Sequence, residues 1–378
     1  MRRSAAIAAC AVLALVAARS APASPQLRLG IVEHAGAYWA EPDFFPTLRE
    51  LGTGMLRVNL NWGGRLGVAR RRPQRPMSPN DPAYDWRLYD RLVLESAGVG
   101  VELVFSIFGT PAYANGGRAP TRAPADPDTL RDFAYAAATR YSGTFRRRDG
   151  RVLPPVRLWT AWNEPNLRLG LIPQYRKVGR RWVIQSAVDY ARICDAVYRG
   201  VHATALRGER VACGVTAPRG NNNPQGAKPS IAPLAFMRAF RRAGRVPFDA
   251  YAHHAYYGAP FETPATRPRG TTAVTLGNID VLVREVTRLF GPKRIWITEY
   301  GYQTNPPDRF FGVSWARQAQ YLEQAYRIAR RNPRIDVLLW FLLRDEPRLS
   351  GWQSGLISVR GERKPAFYAF QRIAAAVR

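Results

Sequence analysis

The chain has 378 residues, 46% of them apolar and 22% charged, which supports a sizeable core and excludes wholesale disorder. Its 31 Gly and 30 Pro follow no collagen period. The net charge is +28, and 52 of the 56 basic residues are Arg.

A basic excess points to acidic partners when it is concentrated in one place. Here the runs are short (residues 70–72 and 146–148), and no Lys/Arg tail stands apart. The familiar nucleic-acid motifs are missing, so nucleic acid is not an expected partner. The charge reads as general Arg usage spread over a surface.

At the N-terminus, Met1-Arg2-Arg3 precedes an apolar run over residues 5–18, then Ala21-Pro22-Ala23. This is the pattern of a signal peptide over residues 1–23, with a small-x-small cleavage site. The run is short for a membrane span. The expectation is a secreted, extracellular protein with one catalytic domain over residues 24–378 and no stable membrane insertion. Cys10 leaves with the leader. Cys194 falls in a helical pattern and Cys213 in a strand; they could pair after export, but two buried small apolar residues is the preferred reading. His34, His202, His253 and His254 lack metal-ligand spacing with Cys, so no metal is expected. No organic cofactor is expected either.

Strand patterns recur at 27–33, 54–62, 101–108, 156–163, 210–216, 248–256, 294–299 and 335–341. Amphipathic helical patterns follow, among them 84–97, 128–141, 187–206, 278–289, 315–330 and 364–377. Eight such units predict an α/β fold, a single-domain (β/α)8 TIM barrel. A doubly wound sheet would show a Gly-rich turn after its first strand, where this chain reads Val32-Glu33-His34-Ala35-Gly36. Helix-to-strand connections are mostly short and strand-to-helix connections mostly long. Length therefore gathers at the C-terminal ends of the strands, where barrels place their sites.

Two strands end in carboxylates. Leu158-Trp159-Thr160-Ala161-Trp162-Asn163-Glu164-Pro165-Asn166 delivers Glu164 at the tip of the fourth strand. Arg294-Ile295-Trp296-Ile297-Thr298-Glu299-Tyr300-Gly301 delivers Glu299 at the tip of the seventh. In a closed barrel those tips face each other across the mouth. Two carboxyls about 5 Å apart across a sugar ring cleave a glycosidic bond with retention, one as acid and one as nucleophile. On the second strand, period-two parity groups Arg57 with Met55, Asn59 and Asn61, opposite Leu56, Val58 and Leu60. The aliphatic face should turn toward the helices and the Arg57 face inward.

Trp-Asn-Glu-Pro-Asn followed by Ile-Thr-Glu-Tyr-Gly resembles the retaining β-glycosidases of clan A, the cellulase-like glycoside hydrolases of family 5 and family 39-like type. The resemblance covers essentially residues 27–378. It implies Glu164 as acid/base, Glu299 as nucleophile, and Asn163 as a ligand of the sugar 2-hydroxyl. It also implies Arg57 beside the nucleophile, His254-Ala255-Tyr256 as the sixth-strand His-x-Tyr with Tyr256 bonded to the nucleophile, and Trp340 as a floor under the sugar. Gly355-Leu356-Ile357 to Lys364-Pro365-Ala366 resembles the clan's last turn. The third strand ends Phe108-Gly109-Thr110-Pro111, without the His that family 5 members often carry.

Aromatics in the strand-to-helix loops (Trp62, Tyr113, Tyr256, Tyr257, Tyr302, Trp352) suit stacking on saccharide. Glu33 and His34 end the first strand at the same mouth. The function expected is secreted hydrolysis of a β-linked oligo- or polysaccharide by double displacement. A catalytically silent carbohydrate-binding barrel and a basic protein binding an envelope polymer are the alternatives.

Overall fold

The computed structural model describes Ser24, residues 27–34 and residues 38–377. The predicted signal peptide over residues 1–23 lies outside the described residues. Strands β1 (Arg28–Val32), β2 (Met55–Asn61), β3 (Glu102–Phe108) and β4 (Leu158–Ala161) form half of a barrel. After a hairpin of β5 (Arg176–Val178) and β6 (Arg181–Val183) come β7 (Arg210–Thr216), β8 (Ala250–His254), β9 (Arg294–Tyr300) and β10 (Ile335–Phe341). The order β1-β10-β9-β8-β7-β4-β3-β2 closes on itself, and each of its neighbours pairs in parallel. Closure of eight parallel strands with helices between them is the predicted (β/α)8 barrel.

The helices among the described residues are α1 (Phe44–Leu51), α2 (Arg87–Gly98), α3 (Ala112–Asn115), α4 (Asp128–Arg140), α5 (Gln185–His202), α6 (Pro233–Ala243), α7 (Ile279–Phe290), α8 (Trp315–Arg331) and α9 (Pro365–Val377). Helix α8 shows how local sequence makes them. Ser314 caps its start by accepting from the Arg317 N–H at 3.2 Å, and Arg330 and Arg331 sit in its last turn. Its buried residues Gln318, Leu322, Ala325 and Ala329 repeat at helical spacing, so one stripe faces the barrel.

Two apolar layers result. The outer one, between strands and helices, takes Leu56, Val58 and Leu60 of β2, as their parity predicts. The inner one fills the barrel with Met55, Val104, Leu158, Ala212, Ala250, Ala252, Trp296, Val337 and Leu339. The middle of the barrel is thus packed with apolar groups, with charged pairs such as Arg294–Asp336 at its N-terminal end and the Arg57–Glu299 pair toward its C-terminal rim.

Cys194 on α5 and Cys213 on β7 form a disulfide. This corrects the expectation of two unlinked cysteines. The helix lies directly over the strand that follows it, so residues 19 apart in sequence meet with Cα atoms 6.0 Å apart. Replacing both cysteines with Ala is expected to lower the unfolding free energy by about 2–4 kcal/mol. Urea unfolding of the double variant beside the oxidised parent measures it, and equal midpoints would show that the bridge adds nothing.

Candidate active site

The segment after β4 is bent into an unusual path. Trp162 has φ +71° and Glu164 φ +42°, both in the left-handed region that non-glycine residues avoid. The surrounding backbone holds them there. The Trp162 N–H donates to Ile107 O at 2.9 Å, its indole Nε1–H to Gly170 O at 2.8 Å, and the Glu164 N–H to Val215 O at 2.9 Å. Gly170 lies so close that a Cβ there would collide with the carbonyls of Asn163 and Glu164. Strands β3 and β7 and the loop that follows therefore fix where Glu164 points.

Arg57 is the centre of the opposite side. It is 1% exposed, yet every arm of its guanidinium donates. Nε–H bonds Ser106 Oγ at 2.8 Å, Nη1 bonds Glu299 Oε1 at 2.5 Å, and Nη2 bonds Asn163 Oδ1 at 2.7 Å. Tyr256 Oη donates to the other Glu299 oxygen at 2.9 Å. Burial holds the Tyr256 phenol well above its usual range, so it stays a donor. Asn163 uses its carbonyl oxygen on Arg57, and an amide keeps two N–H donors for a ligand.

His254 is completely buried beneath both carboxylates, with Nδ1 2.9 Å from Glu164 Oε1 and 3.3 Å from Glu299 Oε2. Burial pushes its imidazole down to about 3, against an opposing pull from Glu299, so the ring is neutral. The Glu164 contact is a hydrogen bond to a neutral ring, and neither contact is an ion pair. No cation among the described residues is bonded to Glu164. Burial raises its carboxyl to about 7, only partly offset by the Arg57 charge. The two glutamates thus sit in different surroundings, one on a guanidinium and a phenol, the other on an imidazole.

One oxygen from each glutamate and the His254 nitrogen lie within 4.8 Å of one another. A cation could bridge such a triad in principle. The Arg57 guanidinium already holds Glu299 Oε1 and keeps a permanent positive charge there, so the donor set fits a metal poorly.

The carboxylates open into a cavity of about 630 Å³, within the range of small-ligand sites. Asn163, Glu164, Tyr256 and Glu299 line it, as do His34, Asn59, Arg219 and Gln303. Its apolar wall includes Leu167, Leu169, Tyr257, Phe341 and Trp352. Trp352 stacks on Tyr256 at 5.8 Å with a 19° interplanar angle, and Phe341 meets the Trp352 ring edge-on at 5.5 Å. The Trp352 loop is held by buried Lys364, which donates to Asp345, Thr304 and Gln353 O.

The structure therefore brings together Arg57, Asn163, Glu164, His254, Tyr256 and Glu299. It moves one of them out of direct contact with a ligand. His254 is 0% exposed and absent from the cavity lining, so it positions the glutamates, whereas Arg57, although bonded to Ser106, Asn163 and Glu299, remains part of the lining. Trp340 is excluded from the site. It points outward into the helix-facing layer, its Nε1–H bonded to Ser354 O at 2.9 Å, and its neighbour Phe341 faces the cavity. Apart from Asp336 near its start, both faces of β10 are apolar, so alternation along it does not single out the cavity-facing residue.

Of the loop aromatics, Tyr256, Tyr257 and Trp352 line the cavity, while Trp62 and Tyr302 are core residues. Tyr113 packs beside Trp62 and does not line the cavity. His34 lines the cavity and bonds Glu346 at 3.1 Å, whereas Glu33 is buried behind it. His253 is structural, bonded to Thr216 and to Val274 O. Sequence reasoning missed Phe341, Gln303 and Arg219. The first was legible only by register against β1, where Phe341 pairs Val32.

No protein-family model matches the sequence, and no curated protein matches it. Solved structures do match. A family 39 glycoside hydrolase from the gut symbiont Bacteroides cellulosilyticus aligns at TM-score 0.63 and 18% identity, over 94% of this chain and 65% of that one. This chain therefore spans slightly less than two thirds of that protein. A glucosidase from Croceicoccus marinus aligns at 0.66 and 14%, over 94% of this chain and 68% of that one. Xylanase 10B from Thermotoga maritima aligns at 0.58 and 13%, over 93% and 96%. At these identities the likeness establishes a shared barrel fold.

Replacing Arg57 with Met would leave Glu299 Oε1, Asn163 Oδ1 and Ser106 Oγ without their donor. Stability is expected to fall by about 3–5 kcal/mol, the usual cost of stranding a buried charge. Denaturant unfolding reads this directly, and a loss under about 1 kcal/mol would show that the guanidinium is not the anchor described.

Proposed function

We propose that this protein is a retaining glycoside hydrolase acting on a β-linked oligo- or polysaccharide. The observation that carries the reading is the pair Glu164 and Glu299. Two carboxylates face each other at the rim of a (β/α)8 barrel, with one oxygen of each within 4.8 Å. That spacing is closer to the roughly 5–5.5 Å at which one carboxylate attacks directly than to the roughly 6.5–9.5 Å of inverting pairs. The fold shared with solved glycoside hydrolases supports the same class.

In this mechanism Glu164, whose carboxyl titrates near neutrality, protonates the leaving oxygen. Glu299, aimed by Arg57 and Tyr256, attacks the anomeric carbon and forms a glycosyl ester. Glu164, now ionised, takes a proton from water, and that water breaks the ester. Asn163 offers its amide to the sugar, and Trp352 stacked on Tyr256 offers an aromatic face. The protein acts after export, a reading supported by the leader-like residues 1–23 and by the Cys194–Cys213 bridge, which suits an oxidising compartment.

Hydrolysis of aryl β-glycosides and β-glycans is expected, with the product released first as the β-anomer. Proton NMR of early product checks this, and an initial α-anomer would overturn retention. Glu299→Ala should lower kcat by at least about 10³-fold, the scale of losing one member of a catalytic unit.

The pH profile follows from Glu164. Because its folded carboxyl titrates at about 7, kcat/KM should fall as pH rises through that value. Glu164→Gln should remove this limb together with about 10²–10⁴-fold of the rate. The same upward shift means the native state binds the proton more tightly than the unfolded chain. Stability from this group is therefore full below the ordinary Glu range and is lost as pH rises toward about 7. A profile flat from pH 5 to 9 would rule out Glu164 as the acid.

A further inference from the structure

Two cationic features flank the segment that carries Glu164, and neither is explained by cleavage of a neutral sugar. The first is Arg219, which lines the cavity. Its Nη1 donates to Tyr257 O at 2.7 Å, and its nearest carboxylate, Glu262, is 3.8 Å away and already accepts from the Gly258 N–H at 2.6 Å. Gly258 makes room for this arrangement, because a Cβ there would strike the guanidinium. Desolvation lowers the Arg219 pKa, which marks a charge its surroundings do not fully compensate.

The second is the β5–β6 hairpin. Arg176, Lys177, Arg180 and Arg181 stand on it, fully on the surface, with Val178 and Trp182 47% and 42% exposed. Residues 165–188 contain no Asp or Glu. Lys177, Arg180 and Arg181 form no ion pair among the described residues. Some surface Arg residues elsewhere are matched: Arg267 and Arg284 share Asp280, and Arg238 and Arg288 share Glu285.

Both features are tied to the acid/base segment. Asn166, two residues after Glu164, donates its amide to Arg219 O at 3.2 Å and accepts from the Ala217 N–H at 2.8 Å. Gln174, at the foot of the hairpin, donates to Pro165 O at 3.0 Å. An acid protonates the leaving group, so the cations gather on the leaving-group side.

We propose that the substrate is an acid-bearing β-glycan, carrying uronate carboxylates or sulfate esters, whose leaving-group side runs from Arg219 onto the β5–β6 hairpin. This rests on the glycosidase reading above. An anion carried by the substrate reaches both the cavity and the hairpin, whereas an anionic lipid surface reaches only the hairpin. Guanidinium groups pair carboxylate and sulfate oxygens in a fork, and Trp182 adds a face for a further ring.

The test uses the mature protein and matched oligosaccharides: β-linked uronates beside their carboxyl-reduced forms, and sulfated chains beside desulfated ones. At low salt, kcat/KM is expected to be at least about tenfold higher for one acid-bearing series, with the preference shrinking as salt rises. The series preferred distinguishes carboxylate from sulfate. Arg219→Gln and the double variant Arg180→Gln/Arg181→Gln should each cut kcat/KM on that series about tenfold more than on its neutral partner. Arg219→Lys should restore part of it.

Equal rates on both forms, insensitive to salt, overturn this inference and leave the glycosidase reading standing. If nothing in the panel turns over, titration calorimetry of the Glu299→Gln variant decides. Selective binding of the acid-bearing chains then supports the inference although the glycosidase reading fails, and equal or absent binding overturns it. Capture by anionic phospholipid vesicles, with no preference between glycan forms, assigns the hairpin to a membrane surface and overturns it as well.

Discussion

The barrel mouth is organised around one buried charge. The Arg57 guanidinium bonds Ser106 on β3, Asn163 after β4 and Glu299 on β9, and so ties four of the eight strands together at their C-terminal rim. A buried guanidinium is tolerable only when its donors are satisfied, and here they are. Because its fork is planar and rigid, satisfying it also sets the angles of the groups it holds. The two sides of the site are consequently registered by the same side chain: Asn163, beside Glu164, on one arm and Glu299 on another.

That single charge also separates the chemistry of two identical residue types. Glu299 takes the guanidinium and the Tyr256 hydroxyl, while Glu164 has only the neutral imidazole of His254 against it. Desolvation without a bonded cation drives the Glu164 carboxyl up to about 7. Differing surroundings of this kind are what the proposed division into acid and nucleophile requires. The His254 ring contributes by being neutral, since an imidazolium between the glutamates would favour ionising both.

The β4 exit shows what the arrangement demands of the backbone. Two non-glycine residues within three positions sit in the left-handed region, at a cost on the order of 1–3 kcal/mol each. They stay there because β3, β7 and Gly170 close around them. The apolar interior beneath, filled by residues such as Trp296 and Leu339, resists shifts that would relieve them. The rim is therefore stiff where the carboxylates sit. Charged surface elements such as the β5–β6 hairpin lie outside it.

Much of this was legible in the sequence because it rests on local periodicity. Eight apolar strand patterns separated by helical stripes specify the barrel, and long strand-to-helix loops mark its working face. Apolar strands ending in Asn163-Glu164 and in Glu299 mark the two carboxylates of the mouth, and the alternation on β2 turns Arg57 inward. Tertiary structure alone decided the rest, since each item depends on which strand meets which neighbour. Phe341, and not Trp340, faces the cavity because β10 beyond Asp336 is apolar on both sides and only its register with β1 distinguishes them. His254 went beneath the carboxylates, out of reach of a ligand, because burial is a property of the packed barrel. Cys194 met Cys213 because α5 folds back over β7. Arg219 became a feature of the cavity only when Asn166 and Gly258 brought its loop against the mouth. The order of residues along one strand sets which groups it can present, and the closing of eight strands sets which of them meet.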